Sequence, residues 1–260
     1  MIIQLVSYKA SLRANNRLKH TAEIINSSKA DLILFSGHTL ASHLDVFELN
    51  SLIDNKTTTA IIEVKENAIS ELNPVCNSLF LLKNGVIKDM YTHQLFTDSS
   101  TINAYPELGE HLMLELESRR CFDAANRNVI VLQCGENGIL RNKQSEGNKA
   151  IFRFENDTEL SSRFATILDN THIVLNPIHS PMGNQGKMKK RREYFSDNNR
   201  VYFQCFGNFE VFIGDVPVEF YSEKSKELFA YLVDRNGSMC RNKEIMAILW
   251  DDGKLHNSYL

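Results

Sequence analysis

One cysteine, Cys134, stands directly after the apolar run Val129-Ile130-Val131-Leu132, within Gln133-Cys134-Gly135-Glu136-Asn137. A thiol at the end of a buried strand, facing a turn, is where α/β folds carry reactive groups. A buried and inert thiol is the more usual state of a free cysteine, so position alone leaves both readings open. The other cysteines stand at 76, 121, 205 and 240, with no Cys-x-x-Cys spacing. That scatter argues against a disulfide scaffold or a zinc ribbon and suits a reducing cytoplasm. Lys187, Lys189, Lys190, Arg191 and Arg192 place five cations within six residues. They could meet an anion, but such runs are mostly solvated helix faces, and a solvated face is expected here.

The elements that must hold these residues follow from periodicity. Ile2 to Tyr8, Asp31 to Phe35, Thr59 to Val64, Ser78 to Leu82, Val129 to Leu132 and His172 to Leu175 read as strands, several of them apolar throughout. Asn84-Gly85 is a hairpin signal leading into Val86-Ile87. Arg17–Ser27, Leu108–Arg120 and Leu160–Leu168 have helical spacing. Strands alternating with helices, plus hairpins, predict a layered α/β domain over 1–200.

The texture changes near Arg200. Val201–Phe206, Phe209–Ile213 and Val216–Phe220 are short β-like runs, followed by predicted helices over Ser222–Val233 and Lys243–Trp250. A second, small α+β domain is therefore expected over 201–260. Residues 1–200 carry 23 basic and 23 acidic side chains against 6 and 9 in the rest, so the net charge of −3 sits in this segment.

Five landmarks in order resemble the carbon–nitrogen hydrolase (nitrilase/amidase) superfamily: Asp31-Leu32-Ile33-Leu34-Phe35, Asn77-Ser78-Leu79-Phe80-Leu81 with its Asn84-Gly85 turn, Tyr91-Thr92-His93-Gln94-Leu95-Phe96, Cys134, and Ile173-Val174-Leu175-Asn176-Pro177. The resemblance covers about residues 1–204. It implies an αββα sandwich, here shorter than such domains usually are, with a glutamate base, an intermediate-stabilising lysine and a cysteine nucleophile. Cys134 matches the nucleophile. Gly37 stands where the glutamate belongs, and Thr92 or His93 where the lysine belongs. His38 and His93, at or beside these vacated places, are candidates to pair with the thiol, with Glu136 and His179 assisting. A metal held by His38, His93, Cys134 and His179 would lack short ligand spacing, so no metal and no cofactor are expected. Asn137, Asn176 and His179 are candidate substrate-binding residues, and the segment from Asn176 to Lys187 lies where the resemblance places the wall of a pocket.

Cys205-Phe206-Gly207-Asn208-Phe209-Glu210-Val211-Phe212 through Leu249-Trp250 resembles the OmpR/PhoB-like winged-helix domain of bacterial transcriptional activators. The resemblance implies a recognition helix in the major groove, which would begin about Asn257, so the segment reads as a truncated winged helix. Lys224 and Lys226 are its candidate phosphate contacts.

Three functions follow. One is a bacterial regulator whose degenerate nitrilase-like domain senses a small molecule or organises a dimer, with DNA as partner if the chain continues past Leu260. Another is a thiol-dependent hydrolase of an amide or nitrile through Cys134. The third is a non-catalytic assembly protein. A homo-oligomer binding a small amide-like molecule is expected, without a membrane partner, since no run of 18 apolar residues exists. The short apolar start, Met1 to Val6, is no export signal, so a cytoplasmic protein is expected.

Overall fold

The computed structural model describes residues 1–8, 17–66, 76–178, 185–197 and 200–205, and in the last part 212–213, 216–217, 221–222, 225, 228, 231–232 and 239–249. It divides into two units, Met1–Asn208 and Phe209–Leu260.

In the first unit, strands β1 (Ile3–Val6), β2 (Leu32–Phe35), β3 (Thr59–Glu66), β4 (Cys76–Lys83) and β5 (Val86–His93) form one sheet in that order. The pairs β1–β2 and β2–β3 are parallel, and β3–β4–β5 are antiparallel. The expected hairpin joins β4 to β5: Asn84 and Gly85 have φ of 55° and 70°, the left-handed pair that a two-residue turn requires. A second sheet contains β6 (Cys121–Ala124) and β7 (Arg127–Val131). After a separate hairpin of β8 (Leu140–Lys143) and β9 (Lys149–Phe152), it is completed by β10 (Ile173–Pro177) and β11 (Val201–Cys205). Its order is β11-β10-β7-β6, with only β6 antiparallel.

Strand alternation sorts the apolar side chains into three layers. Leu32, Leu34, Ile61, Leu79 and Leu81 of the first sheet pack against Val129, Val131, Ile173 and Leu175 of the second. Ile33, Phe35, Ile62 and Phe80 point the other way, toward Ala22 and Ile25 of α1 (Leu18–Ser27) and Val46 and Leu49 of α2 (His43–Leu52). Ile130, Leu132 and Val174 pack with helices that include α3 (Ser99–Ala104), α4 (Glu107–Glu115), α5 (Thr158–Asp169) and α6 (Gln185–Phe195). The unit is thus helices, sheet, sheet, helices. The inner strands β2 and β10 bury both faces, which is why their runs are apolar throughout rather than alternating.

Three differences from expectation have physical causes. The helix read over Leu108–Arg120 becomes α4 plus one π turn over Leu116–Arg120, which turns Arg120 inward. No element is expected from periodicity over α2, yet Ser42 and Asp45 start it with a reciprocal capping box. The strand at 201–205 pairs in parallel with β10, so it belongs to the first unit and the boundary falls at Asn208 rather than Arg200.

The sheets are stitched together at the C-terminal ends of their parallel strands. Gly37 N donates to Ile178 O at 3.0 Å, and Ile178 N to Cys205 O at 3.1 Å. The Cys205 thiol donates to Val6 O at 3.2 Å. Burial pushes that thiol up to about 11, against its hydrogen bonds with Ser7 and Val6.

In the second unit, β12 (Phe212–Ile213) pairs antiparallel with β13 (Val216–Pro217), and α7 (Asn242–Leu249) covers most of the helix expected over Lys243–Trp250. Of the helix expected over Ser222–Val233, the described residues Ser225, Leu228, Tyr231 and Leu232 are helical, while Lys224 and Lys226 lie outside the described residues.

Candidate functional site

Cys134 opens a 3-10 turn, Cys134–Ile139, immediately beyond β7. Two features set the turn. Glu136 N donates to Gln133 O, and Gln133 N donates back to the Glu136 carboxylate, both at 2.9 Å. Gly135 lies against the backbone of Thr97 so closely that a Cβ would sit 2.0 Å from Thr97 O, so only glycine fits. The Cys134 side chain is 3% exposed. Among the described residues its thiol makes no hydrogen bond.

Glu136, fully buried, is held on every side. Beyond Gln133 N, it accepts from Leu95 N at 2.9 Å and forms an ion pair with Arg120, which is equally buried. Arg120 also donates to His93 O at 2.8 Å and to the Thr92 hydroxyl at 3.2 Å, and Thr92 in turn donates to Glu115. Burying two charges is costly unless they are paired and hydrogen-bonded, and this network meets that condition except at Arg120 Nε, which is buried without a partner among the described residues. The carboxylate expected to assist the thiol is therefore engaged in fixing β5, the π turn and the cysteine turn together.

The two candidate histidines occupy other settings. His93 Nδ1 lies 3.0 Å from the Ser78 hydroxyl. Ser78 alternates with Leu79 along β4, so this pair points away from the face between the sheets. His38 is left-handed, with φ of 56°, and its carbonyl accepts from Arg17 at 2.8 Å. No described hydrogen bond links either histidine to Cys134.

A carboxylate that the sequence reading passes over lies beside His38. Glu63, on β3, is fully buried and accepts from His38 N at 3.0 Å. It alternates with Ile62 and Val64 and shares the side of Ile61, the face between the sheets. It therefore adjoins Gly37, where the resemblance looks for a glutamate. A cation likewise adjoins Thr92, where the resemblance looks for a lysine, but it is Arg120 from the π turn. The only local signal for Glu63 is a charge inside the apolar run Ala60-Ile61-Ile62-Glu63-Val64.

Asn137 and Asn176, read as substrate contacts, are both buried and bonded to each other. Asn137 Nδ2 donates to Asn176 Oδ1 at 2.6 Å, and the Tyr202 hydroxyl donates to the same oxygen at 2.8 Å. Asn176 Nδ2 reaches Leu132 O at 2.5 Å, tying β10 to the end of β7. Asn137 Oδ1 is buried without a partner among the described residues. His179 lies outside the described residues.

The basic run is only partly a solvated face. Lys189 is exposed, whereas Arg192 is buried and Arg191 reaches inward to Asn137 O at 3.1 Å. Among the described residues no cluster of three or more His, Cys, Asp or Glu side chains could hold a metal ion, and no helix is long and apolar enough to cross a membrane.

No protein-family model matches the chain, and no curated protein matches it. Among solved structures it is similar to an amidase from Nesterenkonia sp., with 10% identity, 79% of this chain and 75% of that chain covered, and a TM-score of 0.44. It is similar in like degree to NitN amidase from Neterenkonia sp. AN1, with 9% identity, 80% of each chain covered and a TM-score of 0.44.

Proposed function

We propose that the chain is a regulator-like protein. Its first unit is a carbon–nitrogen hydrolase-like sandwich that no longer hydrolyses and instead senses a small amide-like molecule or organises a dimer, and its last segment is a DNA-binding module of winged-helix type. The observation that carries the non-hydrolytic half is the engagement of Glu136. Its carboxylate accepts from Arg120, Leu95 N and Gln133 N, while the neighbouring thiol is buried and has no hydrogen-bonded base among the described residues. Activating a cysteine takes a base or cation at the sulfur and access for the substrate.

A screen of short amides and nitriles against the wild type and Cys134→Ala tests this. The expected result is no hydrolysis above the variant, with Cys134 alkylated no faster than free cysteine. Turnover that disappears in Cys134→Ala would overturn it. The DNA-binding half rests on the resemblance of 205–250. It is tested by duplex binding whose affinity falls with salt; no salt-dependent binding by a chain containing the recognition helix would sink it.

Glu63 favours a second reading, thiol-dependent hydrolysis with that carboxylate as base, because it is buried on β3 and accepts from His38 N, next to Gly37 in the chain. Under that reading the screen finds turnover that falls steeply in Glu63→Gln as well as in Cys134→Ala.

A further inference from the structure

Behind the cysteine turn, two arginines converge on one hydroxyl. Arg153, just after β9, donates from Nη2 to Ser99 Oγ at 2.7 Å, and Arg191, on α6, donates from Nη2 to the same oxygen at 3.2 Å. Arg153 also donates to Gly138 O at 2.7 Å, Leu140 O at 3.1 Å and Asn103 Oδ1 at 2.8 Å. Arg191 donates further to Asn137 O and Asn142 Oδ1, both at 3.1 Å. Seven of the ten guanidinium N–H groups are thus given to neutral acceptors, three remain, and none meets a carboxylate among the described residues.

The acids close in sequence to Arg153, Arg191 and Ser99 are engaged elsewhere. Glu155 pairs with Arg141 at 2.5 Å, Glu193 with Lys190 at 2.7 Å, and Asp98 accepts from Ser100 N at 2.7 Å and Thr101 N at 3.1 Å. Two half-buried positive charges therefore lie within reach of one hydroxyl with no counter-charge among the described residues. Burial, and then Arg191 and Arg141, push Arg153 down to about 10, and burial lowers Arg191 as well. Partly buried charge without a partner is what proteins otherwise avoid.

We propose that Arg153, Arg191 and the Ser99 hydroxyl form a binding site for the phosphoryl group of a small ligand. The three remaining N–H groups, one on Arg153 Nη1 and one each on Arg191 Nη1 and Nη2, come with the Ser99 hydroxyl from three different elements, a spread that a tetrahedral dianion can accept from, whereas one fork alone satisfies a carboxylate. A half-buried pair of cations, rather than an exposed basic stripe, suits a small ligand better than a nucleic-acid backbone. The site holds Asn137 O and Gly138 O of the cysteine turn, but the inference stands whether or not Cys134 hydrolyses anything.

The test is titration of the full chain with inorganic phosphate, against sodium chloride of equal ionic strength. The expected result is a saturable rise in Tm of about 3–5 °C at tenfold excess over Kd, lost in Arg191→Ala and reduced in Arg191→Lys. A shift that does not saturate and is the same in Arg191→Ala overturns the site. If Arg191→Ala does not fold, the phosphorus NMR linewidth of phosphate with the wild type and Arg191→Lys decides. Broadening in the wild type that weakens in the lysine variant supports the site, and unbroadened phosphate with the wild type refutes it.

Discussion

The cysteine turn is gripped from two sides by arginines that work in different ways. In front, Arg120 is fully buried and neutralised by Glu136, so its charge is spent on holding the turn to β5. Behind, Arg153 and Arg191 are half-buried and hold the carbonyls of Asn137, Gly138 and Leu140 without any carboxylate. Arg120 makes three hydrogen bonds and the rear pair seven, but the larger difference is the electrostatic remainder. A closed ion pair fixes structure, while a cation given only neutral acceptors fixes structure and still attracts an anion.

The front grip should be the more costly to break. Arg120→Met leaves Glu136 buried and unpaired and is expected to lower stability by about 3–5 kcal/mol in urea unfolding. Replacing both partners, as Arg120→Met with Glu136→Leu, should recover most of that loss, which a double-mutant cycle measures. Recovery of none would mean that the pair is not what the arginine supports. Gly135→Ala forces a Cβ into the Thr97 backbone and should cost about 3 kcal/mol, read from the shift in unfolding midpoint. Arg153→Met removes bonds to neutral acceptors and relieves a repulsion, so about 1 kcal/mol is expected. A cost as large as that of Arg120→Met would erase the distinction between the two grips.

How much of this was legible in the sequence depended on distance along the chain. The Asn84-Gly85 turn and the strands around Leu32–Phe35, Val129–Val131 and Ile173–Pro177 follow from local chemistry, since a left-handed turn pair and two-sided burial leave marks in adjacent residues. Arg120 could not be read this way. At the end of an amphipathic helical pattern it resembles any surface arginine, and its burial is decided by Thr92 and Glu136, 28 and 16 residues away. Arg191 was hidden by its neighbours, because a run of cations reads as one exposed face although the helix turns each side chain differently. That Cys134 follows a buried strand is legible from the apolar run before it. Glu63 is not legible in this way, because the pattern of its strand says only that the strand is buried.

The seam where Cys205 meets Val6 spans 199 positions of the chain, and this has a consequence for how the first unit comes into being. Strands β1 to β5 lie in the sheet in chain order, with α1 and α2 among the segments between them, and can pair as they are synthesised. The facing sheet takes its outer strand from Val201–Cys205, the last part of the unit to leave the ribosome. Until then Leu32, Leu34, Ile61, Leu79 and Leu81 have nothing complete to pack against. Contacts of such long sequence separation form slowly, and unfinished sheets with open edges are prone to aggregate. The growing chain therefore passes through a half-built sandwich, and the residues that close it are the last the unit receives.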